Sequence, residues 1–100
     1  MEHQFGTKIR SLREKQNLFL RQVASLLEMD TAQLSKIENG SRQLKKTQIH
    51  IIAEILKANK EELLTLWLAD QIMEVINGEP LADEALKSVT KKMKQDNKLN

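Results

Sequence analysis

Cysteine and tyrosine are absent from this chain, proline occurs once and glycine three times. Without cysteine there is no disulfide framework and no thiolate metal site, and His3 and His50 stand too far apart in sequence to suggest a ligand pair. No metal and no other cofactor is therefore expected. Aromatic residues make up only 3% of the chain, which leaves few of the side chains that build strands, and the scarcity of glycine and proline argues against many tight turns. No apolar run approaches the roughly 20 residues of a membrane span. The first residues also lack a charged-then-apolar leader pattern. A cytoplasmic protein with no membrane partner is the expectation. Catalysis is disfavoured too, because there is no Ser/His/Asp set, no glycine-rich phosphate loop and no evident carboxylate pair.

What remains is helical. A hydrophobic content of 40% over 100 residues suits one core of modest size. Phe5, Ile9 and Leu12 recur at spacings of four and three, which predicts a first amphipathic helix from Gln4 to Gln16, ended by Asn17. A short second helix is expected from about Leu20 to Leu27, with Val23, Ala24 and Leu27 inward. Asp30 is a good N-cap for a third helix through Asn39, and Gly40 after it is a stop signal. The fourth helix, about Lys46 to Lys57, places Ile49, Ile52, Ala53 and Leu56 on one face. Asn59, with Glu62 three residues on, starts a long fifth helix that runs to about Asn77 and stops at Gly78. A sixth, about Asp83 to Lys94, follows Pro80, and residues 95–100 read as a flexible polar tail.

The charge is unevenly distributed along this helical string. Residues 1–60 hold 11 Lys/Arg against 6 Asp/Glu, residues 61–86 hold none against 7, and residues 87–100 hold 5 against 1. The first window suits a polyanion and the second would be repelled by one. Two short helices flanking a tight turn between Val23 and Gly40 suit DNA, since a helix entering the major groove offers base edges to its N-terminal residues. With Leu34 and Ile37 inward, Thr31, Gln33, Ser35 and Lys36 point outward, each able to donate or accept hydrogen bonds. Periodicity alone leaves open that this polar face is simply solvated.

The run Val23-Ala24-Ser25-Leu26-Leu27, then Leu34-Ser35-Lys36-Ile37-Glu38-Asn39-Gly40, followed by Arg42 and by Ala53-Glu54-Ile55-Leu56, resembles the lambda-repressor-like helix-turn-helix family, the Cro/cI or XRE type. The likeness covers about residues 5–63. It implies an all-α fold: a helix-turn-helix domain of four to five helices over residues 1–63, with a C-terminal helical extension over residues 64–94 for dimerisation. It further implies a sequence-specific regulator of transcription, a repressor by family base rate, whose partner is double-stranded DNA. Thr31, Ala32 and Lys36 fall where relatives touch bases, with Gln33 and Ser35 beside them. Arg42, Lys45 and Lys46 fall where relatives grip phosphates. Arg13 and Glu38 match positions that pair structurally in the family.

Three positions depart from the family pattern. Phe19-Leu20 stands where relatives often carry a Ser/Thr-Gln phosphate clamp, so Arg21 is the candidate to take over that contact. Glu28 replaces the usual turn glycine; a left-handed residue there costs about 1 kcal/mol, and a reshaped turn is expected. Leu44 replaces a common proline, which should alter the start of the fourth helix and little else.

Leu64, Leu66, Leu68, Ala69, Ile72, Met73, Val75 and Ile76 sweep roughly 200° of the fifth helix, about twice the stripe a surface helix needs. Leu63 and Trp67 fall outside that arc, placed to pack where the helix meets the first four. The surplus predicts a homodimer interface built from Leu68, Ile72, Met73, Val75, Ile76, Leu86 and Val89. Two alternatives stay open: the sixth helix folds back over the surplus within one subunit, or the acidic, apolar half binds another protein, as in an antitoxin or adaptor. The same fold also serves restriction-modification controllers.

Overall fold

The computed structural model describes residues 3–99, and all of its regular structure there is helical. The order is α1 (Gln4–Lys15), α2 (Leu20–Leu26), α3 (Thr31–Glu38), α4 (Lys46–Leu56), α5 (Lys60–Ile76) and α6 (Ala82–Leu99). Met1, Glu2 and Asn100, which open the expected first domain and close the expected tail, lie outside the described residues.

The short connections are set by local chemistry. Asn17 and Glu28 both adopt left-handed backbone angles, φ +57° in each, and Gly40 does so at φ +86°. The turn at Glu28 therefore keeps the left-handed residue that a glycine would have supplied, and the reshaped turn expected from the sequence is not found. Its backbone N–H donates to Ser25 O at 3.1 Å, while Met29 N–H donates to Ala24 O at 3.0 Å. Those two bonds close the end of α2 and offset a strain of about 1 kcal/mol. Asp30 caps α3 by accepting the Gln33 N–H at 2.7 Å, and Asn59 caps α5 by accepting the Glu62 N–H at 2.9 Å.

The core is built from the inward stripes of α1 to α4 and the first turn of α5. Phe5, Ile9, Val23, Ala24, Leu27, Leu34, Ile37, Ile49, Ile52, Ala53, Leu56 and Leu63 are all buried. So is Leu44, which corrects the expectation that this departure would do little beyond the start of α4: its side chain is one of the best-buried in the protein. Close approach of α1 to the end of α3 depends on Gly6, since a Cβ there would press on the Glu38 carbonyl and come within 2.6 Å of the Ile37 carbonyl oxygen. Trp67 is half-buried against the core and its Nε1–H donates to Leu44 O at 2.8 Å.

Beyond Trp67 the second half of α5 is only partly covered. Leu68, Ile72 and Val75 on α5 are exposed, whereas Met73 and Ile76 are half-buried. All residues from Asp83 to Asn97 on α6 are exposed. The fold-back of α6 over the surplus of α5 within one subunit is not what the structure adopts. The radius of gyration, 15.8 Å, exceeds the roughly 13 Å of a compact 100-residue domain, as a projecting helix requires. Helix α6 also continues to Leu99, past the Lys94 end read from the sequence. Residues 92–99 contain neither glycine nor proline, and the Lys92–Asp96 pair, 3.3 Å apart, supports the added turn at i,i+4 spacing.

Candidate nucleic-acid interface

Helix α3 is held by its apolar side and presents its polar side. Leu34 and Ile37 are buried, while Thr31, Ala32, Ser35 and Lys36 are exposed and Gln33 is half-buried. Placing small or polar side chains in the first turn, with the cap supplied by Asp30 from outside the helix, leaves that turn narrow enough to approach base edges. Helix α2 packs against α3, and α1 packs against both α3 and α5, so the presented helix is braced from two directions.

The basic residues that neighbour it in sequence are exposed. Arg21 opens α2, Arg42 lies in the connection after α3, and Lys45 and Lys46 stand at the start of α4; all four are exposed, as is Lys36. Among the described residues none of these five cations forms an ion pair, whereas Lys8, Arg10, Arg13, Lys87 and Lys92 each do. Charges left unpaired are available to phosphate at no cost of breaking an existing bridge. Arg42 is fixed by its backbone, since the N–H groups of Ser41 and Arg42 donate to Lys36 O at 2.9 and 3.2 Å. The loop after α3 is thereby tied to the last turn of α3 itself.

Arg21 sits with its guanidinium carbon 4.8 Å from the centre of the Phe19 ring. The aromatic residue that displaces the usual clamp thus supports the arginine next to it through a cation–π contact. The α2 start is completed by Gln22, whose Oε1 accepts the Phe19 N–H at 2.7 Å, and the α4 start in the same way by Gln48, which accepts the Lys45 N–H at 2.9 Å. A glutamine three residues past each N-cap is the signal by which these bonds could have been read from the sequence.

Arg13 forks onto Glu38, with Nε to Oε2 at 2.7 Å and Nη2 to Oε1 at 3.0 Å, and its Nη1 donates to Leu18 O at 2.8 Å. The hydrogen bond to Glu38 holds the Arg13 guanidinium above its already high ordinary pKa, against the opposing effect of burial, with the Glu38 and Glu14 charges adding to the rise. Glu38 keeps only 7% of its side-chain surface, and both of its carboxylate oxygens are occupied by Arg13 and not offered to a ligand. The pair instead pins the end of α3 to α1. A second bridge had no sequence signal at all: Asp70 on α5 accepts the N–H groups of Gln4 and Phe5, at 3.0 and 2.9 Å, and so caps α1 from 65 residues away. The seven residues expected at a dimer interface lie outside this region, on α5 and α6.

An exposed, braced helix following a short helix and a tight turn is the architecture of a helix-turn-helix DNA-binding module. A family model described as "Helix-turn-helix domain" matches residues 4–66. The chain belongs to that family, in keeping with the lambda-repressor-like resemblance of its Val23–Gly40 run. No curated protein and no solved structure matches it. Members of this DNA-binding class are typically regulators without enzymatic activity. No described helix is long and apolar enough to cross a membrane.

Proposed function

We propose that this protein is a sequence-specific regulator of transcription, a repressor, that binds an inverted-repeat operator as a homodimer with α3 in the major groove. The observation that carries this reading is the exposure of Thr31, Ala32, Ser35 and Lys36 on α3, together with that of Arg21, Arg42, Lys45 and Lys46, none of which, like Lys36, pairs with a described carboxylate. Lys36, with Gln33, reads bases, and its ammonium suits guanine O6 and N7. Arg21, Arg42, Lys45 and Lys46 hold phosphates and set register. Two copies would place their α3 helices about 34 Å apart, one turn of DNA, which makes the operator palindromic. Regulation by a protein partner at the C-terminal half, the antitoxin or adaptor reading, draws on the same exposed apolar residues of α5 and α6.

Selection of bound duplexes from a randomised pool tests the reading, and an inverted repeat with half-sites about one turn apart is the expected product. Lys36→Ala should relax preference at one position per half-site. Arg42→Ala should weaken binding to every duplex and reduce the salt slope by about one. Enrichment of no sequence, or equal effects of the two substitutions on preference, would contradict it.

A further inference from the structure

We infer that in the homodimer α6 of each copy lies along α5 of the other, an exchange of helices and not a pairing of like with like. This deepens the homodimer reading above and depends on it. Leu68, Ile72 and Val75 on α5 are 50%, 48% and 77% exposed, and Leu86, Val89 and Met93 on α6 are 37%, 54% and 60% exposed. On each helix the three follow one another at helical spacings: four then three on α5, three then four on α6. A stripe of three exposed apolar residues at these spacings is wide enough to receive one helical partner. Each chain carries two such seams, and neither covers the other.

Charge selects which seam meets which. From Glu61 to Glu79 the α5 half bears five carboxylates and no Lys or Arg, whereas α6 carries Lys87, Lys91, Lys92, Lys94 and Lys98 against Asp83, Glu84 and Asp96 and is net basic, most strongly toward its C-terminal end. Pairing α5 with α5 brings acidic faces together, and pairing α6 with α6 brings basic ones together. The crossed arrangement sets the acidic helix against the net-basic one along the apolar seam. Within one chain the connection of five residues, with Gly78 at φ +79° and Pro80 after it, turns α6 away from its own α5. The crossed pairing makes a two-fold interface in which each copy contributes both halves.

The absence of cysteine makes the test clean. Ile72→Cys chains are mixed with chains carrying Leu86→Cys, Val89→Cys or Met93→Cys and oxidised gently, and the mass in solution is measured by sedimentation. Sedimentation should give twice the 11.5 kDa chain mass. At least one α5–α6 combination should cross-link between chains several-fold more than either variant with itself. Val89→Glu should abolish the dimer and leave the helical signal and melting of the body unchanged, because Val89 is 54% exposed and lies outside the buried core. A dimer that cross-links mainly α5 to α5 or α6 to α6, or no cross-link in any combination, overturns the exchange while leaving the homodimer intact. Cross-linking within a single chain carrying both cysteines overturns it as well. A monomer overturns both.

Discussion

Replacing Arg13 by methionine roughly keeps the length of the side chain and removes its charge and the three hydrogen bonds it donates. In the native protein Arg13 and Glu38 keep 12% and 7% of their side-chain surface, so the carboxylate left behind has almost no water to turn to. Losing one partner of a buried pair costs about 3–5 kcal/mol. The slight access that remains at Arg13 places the expected loss near the lower end, about 3 kcal/mol. Against a total stability of about 5–15 kcal/mol the variant stays folded, with a melting temperature lower by roughly 12–24 °C at about 4–8 °C per kcal/mol. The double variant Arg13→Met, Glu38→Met removes both charges and should recover to within about 1 kcal/mol of the native protein. Urea denaturation of the four proteins followed by circular dichroism gives the coupling directly; with Glu38→Met alone also losing about 3 kcal/mol, a coupling of about 5 kcal/mol is expected. A coupling below about 0.5 kcal/mol would show that the fork on Glu38 contributes nothing beyond packing. The raised pKa of Arg13 makes its contribution fully present below the unfolded value and lost only as pH rises through the folded one. The loss on Arg13→Met should therefore be the same at about pH 6 and about pH 9.

Trp67→Phe keeps the ring against the core but leaves the buried Leu44 carbonyl without its donor, at a cost of about 1–3 kcal/mol in denaturation, and DNA binding should weaken with no change in preferred sequence. Gly6→Ala should destabilise by about 1–3 kcal/mol, because the added methyl meets the backbone carbonyls of Ile37 and Glu38 and not a side chain that can turn aside; an unchanged melting temperature would refute the close approach. Asp70→Ala should cost about 0.5–2 kcal/mol by uncapping α1, and hydrogen exchange should speed up at the Gln4 and Phe5 amides first.

The extent to which this architecture is written in the residues follows from the range of each interaction. Six helices, their order and most of their ends are local matters: Asp30 and Asn59 reach the amide three residues on, Gly40 takes up its positive φ where the Asn39-Gly40 pair announces it, and apolar residues at spacings of three and four mark the buried face. The polar side of α3 is legible for the same reason. Glu28 misled because conformational preference is a price set locally, whereas the bonds from Glu28 and Met29 back to α2 that offset it belong to the turn as a whole. Trp67 is placed by its spacing against the first four helices, but its partner there, the carbonyl of Leu44, lies 23 residues away and has no local signal.

Chain-distant pairings were settled only by the tertiary structure. Asp70 could not be recognised as the cap of α1, since nothing near residue 70 records that α5 passes beside Gln4 and Phe5. The surplus of apolar surface on α5 was countable from spacing, yet whether α6 would cover it depended on the direction taken by residues 77–81, a geometric outcome that periodicity does not contain. Composition and spacing determine which faces avoid water, because hydrophobic burial has no direction. Which face meets which is decided by the few directional bonds and close approaches, at Arg13, Gly6, Trp67 and Asp70, that exist only once the helices have come together.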